Sequence, residues 1–269
     1  DYEGSPTASI TPSSRVDYRW NGFIQDDIEL VPERWRLVLG SKFEHNDYTG
    51  FEVQPNVRLA WTPDPRRMVW AAVSRAVRIP AVALSYGELN HFPVDTGSSM
   101  PGNVRLLGNP DLESEDVLAL EAGFRARLSE GLLLDGSAFH NEYDDIGLLV
   151  PSEPFVESVP EPPHLVVPLT GMNAGSVTTQ GIELAADARL GQHWRLLAGY
   201  SYLDHNLRND GSISTAVDII TGGNPQHQAF LRASGSWQNG LELDVIGRFV
   251  DEIEGFGIEA VSTLDVRVG

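Results

Sequence analysis

Few residues of this chain have the spacing of a catalytic or metal site. The 269 residues contain no Ser-His-Asp arrangement, no glycine-rich phosphate loop and no His-Glu-x-x-His motif. The absence of cysteine excludes a thiolate nucleophile, a thiolate metal site and a disulfide framework. Tyr143, Asp144 and Asp145 could give oxygen ligands to a cation, although acids at a wet strand end are more common than such a site. The sequence therefore gives no positive sign of an enzyme.

Charged side chains do recur with a fixed spacing, at every second position of several segments. Between Phe51 and Trp61, apolar side chains alternate with residues such as Glu52 and Arg58. Because successive side chains of a strand point to opposite faces, each such segment predicts a strand with one apolar and one polar face. About ten residues suffice for a tilted strand to cross a membrane, but a half-buried strand of a soluble sandwich shows the same alternation. The predicted polar face carries Arg58, Glu121, Arg125, Arg127, Glu183, Asp187, Arg189, Arg232, Glu242, Asp244 and Arg248.

The connections between these segments help to decide between the two interpretations. About eleven strand-like segments follow one another from Val16 onward, and their connections are alternately tight and longer. Tight turns occur at Pro32, Pro63, Ser129, Gly191 and Asn239. This order predicts an antiparallel up-and-down sheet in which each strand pairs only with its neighbours in sequence, without any parallel pair. The three longest connections, 80–115, 151–168 and about 207–224, show no periodicity and are predicted to be loops.

The tryptophans point to a membrane. Four of the six, Trp35, Trp61, Trp194 and Trp237, lie beside tight turns and in the apolar phase. Aromatic residues at one depth and on one face are typical of the girdle at a membrane interface. The predicted fold is therefore all-β, an antiparallel up-and-down transmembrane β-barrel. Its polar face would line the lumen, and its first and last strands would be open edges in this chain.

Composition agrees with this fold and limits the partners. The formal net charge of −19 and the isoelectric point near 4.6 disfavour nucleic acid, because phosphate binding needs a basic surface. A mean hydropathy of −0.18 suits a barrel whose strands place half of their side chains in a wet lumen.

Several short motifs follow one another along the chain. They are Ser74–Pro80 (SRAVRIP), Gly108–Glu115 (GNPDLESE) with Glu121-Ala122-Gly123, Phe139 with Tyr143–Ile146 (YDDI), Asn173-Ala174-Gly175 with Gly181–Leu184 (GIEL), and Asn224–His227 (NPQH). None of them is specific alone, but in their order and spacing they resemble the barrel of TonB-dependent outer-membrane receptors.

The resemblance implies a larger assembly. The family is expected to form a barrel of about 22 strands with an N-terminal plug inside it and a short box that engages a TonB-type energy transducer. Residues 1–269 would then be part of one barrel domain, about half of its strands, in the outer membrane of a Gram-negative bacterium. The chain is expected to be a fragment, with the plug and the terminal strands outside it.

The resemblance further implies import of a scarce nutrient, most simply a ferric siderophore, without chemistry on the cargo and without a cofactor. Candidate ligand-binding residues in the long loops are Tyr86, His91, Arg105 and His164. Haem or cobalamin is an alternative cargo, and His91 suits haem because it lies between the arginine-proline strand end and the Asn-Pro-x-Leu motif. A barrel of another class, a passive porin or an adhesin, would use the same strands without a plug.

The two longest loops are acidic. Residues 80–115 hold five carboxylates against Arg105 alone, and residues 151–171 hold three carboxylates and no Lys or Arg. This charge modestly disfavours anionic ligands.

Overall fold

The computed structural model describes residues 8–95, 97, 99–159, 161–209 and 223–269. The described residues form fifteen strands of one sheet, a five-residue helix and a 3-10 turn. In chain order these are β1 (Ala8–Ile10), β2 (Arg19–Val31), β3 (Trp35–Asn46), β4 (Gly50–Asp64), β5 (Arg67–Arg78), α1 (Val82–Tyr86), β6 (Gly87–Val94), β7 (Gly102–Leu107), β8 (Glu115–Ser129), β9 (Leu132–Pro151), β10 (Phe155–Glu157), β11 (His164–Leu190), β12 (Trp194–Asn209), β13 (His227–Ser236), β14 (Glu242–Val250), the turn Glu254–Phe256 and β15 (Val261–Val268).

Eleven of these strands form a continuous antiparallel wall. Their order is β2, β3, β4, β5, β8, β9, β11, β12, β13, β14 and β15. The wall confirms the predicted count of eleven and the up-and-down arrangement. The sheet is open, because β2 and β15 each pair on one side only within the described part of the chain.

The two faces of the wall differ as the sequence predicts. Leu59, Leu120 and Leu184 in the apolar phase expose 36%, 46% and 46% of their surface. A soluble sandwich would cover such residues with a second sheet, and that interpretation fails here. The four tryptophans predicted to form a girdle are in contact two by two, with ring centroids 5.8 Å apart for Trp35 and Trp61 and 5.4 Å apart for Trp194 and Trp237. No helix among the described residues is long and apolar enough to cross a membrane.

The long connections are the main correction to the sequence-based prediction. Residues 80–115 contain α1, β6 and β7, and residues 151–168 contain β10 and the start of β11. Residues 102–107 of β7 pair in parallel with residues 165–170 of β11, so the prediction of neighbour-only, antiparallel pairing is wrong in this region. The strand β12 extends into the third predicted loop as far as Asn209. Residues 210–222 of this loop lie outside the described part.

These short strands lack alternation because both of their faces are covered. In β7 the successive residues Val104 and Arg105 expose only 7% and 8% of their surface, although their side chains point to opposite faces. The strands cap the end of the wall from which the long connections leave. We define the cap as β1 together with the described residues of 81–114 and 147–175, and this end of the wall as the outer mouth.

Candidate ligand site at the outer mouth

Two of the predicted ligand-binding residues meet in the cap. Arg105 of β7 donates through Nη2 to Glu157 Oε2 at 2.5 Å, and His164 Nε2 lies 3.1 Å from the same oxygen. Arg105 Nε also donates to Asn90 Oδ1 at 2.8 Å. Glu157 comes from β10, so the cluster joins the two longest connections.

The cluster is a structural ion pair rather than an open anion site. Arg105 Nη1 lies 3.2 Å from a second carboxylate, Glu88 Oε1, and its side chain is only 9% exposed. The hydrogen bond from Arg105 holds the pKa of the Glu157 carboxyl below its ordinary value. Sequence reasoning missed Glu157 because nothing in residues 151–168 shows that β10 and β7 both pair with β11. The guanidinium is therefore occupied by these contacts and is not open to an anionic ligand.

Tyr86 and His91 lie apart from this cluster. Tyr86 ends α1, and the Arg15 guanidinium carbon lies 4.3 Å from its ring centroid and 4.8 Å from that of Tyr48. This packing fixes the start of the chain against the cap. His91 lies on β6 where the register shifts between Asn90 and Phe92, and its side chain is outside the described part. Ligand binding by either residue, and the haem alternative for His91, stay predictions.

An acidic cleft of about 730 Å³ opens beside the cap. It contains the Asp144 and Asp145 of the cation motif predicted from the sequence, together with Asp111 and Glu113. Its arginine, Arg75, is paired with Asp116. No group of three or more carboxylates and histidines among the described residues has the arrangement of a metal site.

A second cavity of about 520 Å³ lies on the polar face of the wall and shares Asp116 with the cleft. It is lined by the outer ends of β5, β8, β9, β11 and β12. His205 lies here, paired across the sheet with Thr179, and both of its ring nitrogens are buried without a hydrogen-bond partner among the described residues. Sequence reasoning missed His205, although its place in the polar phase at an outer strand end was a usable signal.

The charges of the polar face pair between neighbouring strands. Arg125 donates to Asp135 at 2.5 Å, and Arg195 donates to Asp187 at 2.7 Å. Such pairs make a charged wall tolerable in contact with water. The other predicted members are placed as follows: Arg232 pairs with Asp244 at 2.8 Å, Arg248 with Asp265, Glu242 with Arg267 at 3.4 Å and Arg58 with Glu121 at 3.9 Å, while Arg127, Glu183 and Arg189 lie opposite Leu133, Ser201 and Arg195.

Comparison with known proteins decides the family. The family model described as TonB dependent receptor-like, beta-barrel, matches residues 1–269. The chain belongs to this family. TonB-dependent receptors are receptors rather than enzymes as a family, and this membership places the wall in the cell outer membrane.

The relatives of this TonB-dependent receptor barrel are much longer than the chain. The iron-regulated outer membrane virulence protein of Vibrio cholerae is 26% identical over 220 residues, which cover 82% of this chain and 31% of that protein. The metal-pseudopaline receptor CntO of Pseudomonas aeruginosa is 24% identical over 259 residues, covering 90% and 33%. The siderophore receptor PirA of Acinetobacter baumannii has the same fold, with a TM-score of 0.73 at 15% identity, covering 94% and 39%. The chain thus spans about a third of each curated relative.

A second aromatic belt fits the outer membrane. Trp20, His45 and Phe51 pack side by side on the apolar face near the outer mouth, with ring centroids 5.6 and 6.4 Å apart. Ten residues separate Phe51 from Trp61. At about 3.3 Å per residue and a tilt of about 40°, they rise about 25 Å, the height of the apolar band of an outer-membrane barrel.

Proposed function

We propose that the protein containing this chain imports a metal chelate, most simply a ferric siderophore, across the outer membrane. No reaction on the cargo and no resident cofactor is part of the proposal. The observation that carries it is the arrangement at the outer mouth, where an ordered cap and two cavities adjoin the polar face of a membrane wall. A wall whose polar face lines a wet lumen would let a captured ligand continue inward.

The names of the relatives support the class of cargo. One is iron-regulated, one receives metal-pseudopaline and one is a siderophore receptor. A metal chelate is the substrate class common to the last two. In this proposal Arg58, Glu121, Arg125, Arg127, Glu183, Asp187, Arg232 and Asp244 face the lumen.

The family membership also supports the partners that we propose. The apolar face of the wall contacts outer-membrane lipid, and the lumen accommodates a plug that a TonB-type transducer engages from the periplasm. Energy from the inner membrane then moves the cargo through the lumen. These partners distinguish the receptor from a passive porin or an adhesin.

Uptake by cells tests the proposal. Cells that express the full-length protein in a host lacking its own receptors are given iron-55 chelates, with and without a protonophore that collapses the proton gradient. We expect uptake that saturates and that the protonophore abolishes. Uptake that survives the protonophore would support a porin instead, and the absence of uptake of every chelate would contradict import.

A further inference from the structure

The outer mouth offers no unpaired cation among its described side chains. Each basic side chain of the cap and of the wall ends beneath it contacts a carboxylate. The pairs are Arg15 with Asp17, Arg19 and Lys42 with Glu44, Arg75 with Asp116, Arg78 with Glu115, and Arg105 with Glu157.

Carboxylates remain in excess at the same place. Asp111, Glu113, Asp144 and Asp145 line the acidic cleft and take part in no ion pair within the described part of the chain. A cleft lined by one sign of charge concentrates its field, attracts ligands of opposite charge and repels ligands of like charge. The cleft therefore disfavours a polyanionic cargo at the outer mouth, and it shares Asp116 with the cavity that contains His205.

The cavity of His205 is suited to an uncharged organic group. A neutral imidazole presents one N–H donor and one acceptor nitrogen, and buried polar groups without partners are rare in folded proteins. The charged residues of its lining are all in ion pairs, Arg78 with Glu115 and Asp116 with Arg75. Tyr143 adds an uncharged polar group, whereas Val177 makes part of the lining apolar. Its volume lies within the range of about 300–1,000 Å³ found for small-molecule sites.

We propose that the cargo is a metal chelate of zero or positive net charge and that an organic arm of it binds in the cavity of His205. The imidazole accepts from and donates to a hydroxyl, amide or carbonyl group of that arm, and the acidic cleft selects against anionic chelates. This inference rests on the proposed import of a chelate and narrows its class.

The first experiment compares three ferric chelates of similar size on the purified full-length receptor in detergent. They are a linear trihydroxamate with a free ammonium group, a neutral cyclic trihydroxamate and a trianionic tricatecholate. Quenching of tryptophan fluorescence gives each Kd at low and at physiological salt. We expect the neutral or the cationic chelate to bind at least about ten-fold more tightly than the tricatecholate. We also expect salt to weaken binding of the cationic chelate alone.

Variants then test the cavity. His205→Ala should weaken binding of the preferred chelate about ten-fold, because a buried hydrogen-bonding group is lost, and His205→Gln should restore part of the affinity. His193→Ala is the matched control, since His193 lies at a tight turn at the opposite end of the wall. A gel assay of heat-modifiable mobility establishes that each variant is a folded barrel.

A double substitution tests the role of the acidic cleft. Asp144→Asn combined with Asp145→Asn should reduce the preference for the cationic over the neutral chelate and leave the affinity for the neutral chelate unchanged. Tighter binding of the tricatecholate than of both other chelates, or no effect of His205→Ala, overturns the inference and leaves the import of chelates in place. Failure of energy-dependent uptake of every chelate, measured in cells, removes the proposed function itself.

Discussion

In the wall, Leu120 and Leu184 each expose 46% of their surface, whereas Val166 in the cap exposes none. Val104, Leu112 and Leu148, the other buried apolar side chains of the described residues, also belong to the cap. In the proposed membrane setting, the apolar face of the wall contacts lipid and needs no covering layer. The cap stands in water and must bury its own apolar side chains. The wall and the cap are therefore stabilised in different environments, and we expect substitutions in the two regions to have different effects.

A charge on the lipid face of the wall should have the largest effect. Leu120→Arg is expected to cost about 2–4 kcal/mol near the membrane midplane and to prevent most of the assembly. The fraction of heat-modifiable barrel in purified outer membranes measures this. Arg125→Ala, on the polar face of the same strand, is the control and should assemble almost normally, because its ion pair with Asp135 is exposed. Equal yields for both variants would show that the two faces are assigned wrongly.

Removal of a buried side chain from the cap should have a smaller and local effect. Val166→Ala removes two methyl groups from a fully buried position and is expected to cost about 2 kcal/mol. We expect faster proteolysis of the cap on intact cells and normal heat-modifiable mobility of the barrel.

The same substitution in the wall provides a matched control. Val73→Ala changes a residue that is 38% exposed on the apolar face, and it should leave both measurements unchanged. If Val166→Ala also reduced assembly, the cap and the wall would form one cooperative unit.

The ion pair in the cap should make this region, and not the wall, sensitive to acid. Arg105 lowers the pKa of Glu157 below its ordinary value in the folded cap. The pair therefore stabilises the cap fully above that ordinary value and loses its contribution as the pH falls through the lowered pKa. The protection factors of the β7 amides, which correct for the intrinsic slowing of hydrogen exchange in acid, should fall below about pH 4.5 in the natural protein.

Glu157→Gln sharpens this test. The variant should exchange faster at neutral pH and respond less to acid, because the amide that replaces the carboxylate does not titrate. Exchange in β13, which carries no cap contact, should be the same in both proteins. An identical acid response in the variant would assign the sensitivity to another group.

The sequence predicts the wall well because a membrane strand must alternate. Its eleven strands, its tight turns and the Trp35–Trp61 and Trp194–Trp237 contacts follow from a period of two and from turn residues. The cap gives no such pattern. Val104 and Arg105 are buried on opposite faces of β7, and the partner of β7 lies about sixty residues away in β11, so local spacing carries no information about the pairing.

The candidate site could be predicted only in part, because its contacts depend on pairing between strands that are distant in sequence. Arg105 and His164 have side chains suited to binding and lie in the long connections, which is enough to propose them. That they meet at Glu157 depends on the pairing of β10 and β7 with β11. The polar phase of His205 could be read from the sequence, but only the folded arrangement shows that its ring nitrogens have no partner among the described residues.

The strand β11 belongs to both regions, and its length has a mechanical consequence. Its 27 residues reach about 90 Å, from the cap to the tight turns at the opposite end. Its ladder with β9 is regular except for register shifts between Asn173 and Val177, at the point where the strand leaves the wall. A strand clamped on both sides is stiff, and it bends most easily where its ladder is interrupted. Bending of the cap relative to the wall is therefore expected near Gly175, where the ladder between β9 and β11 is interrupted.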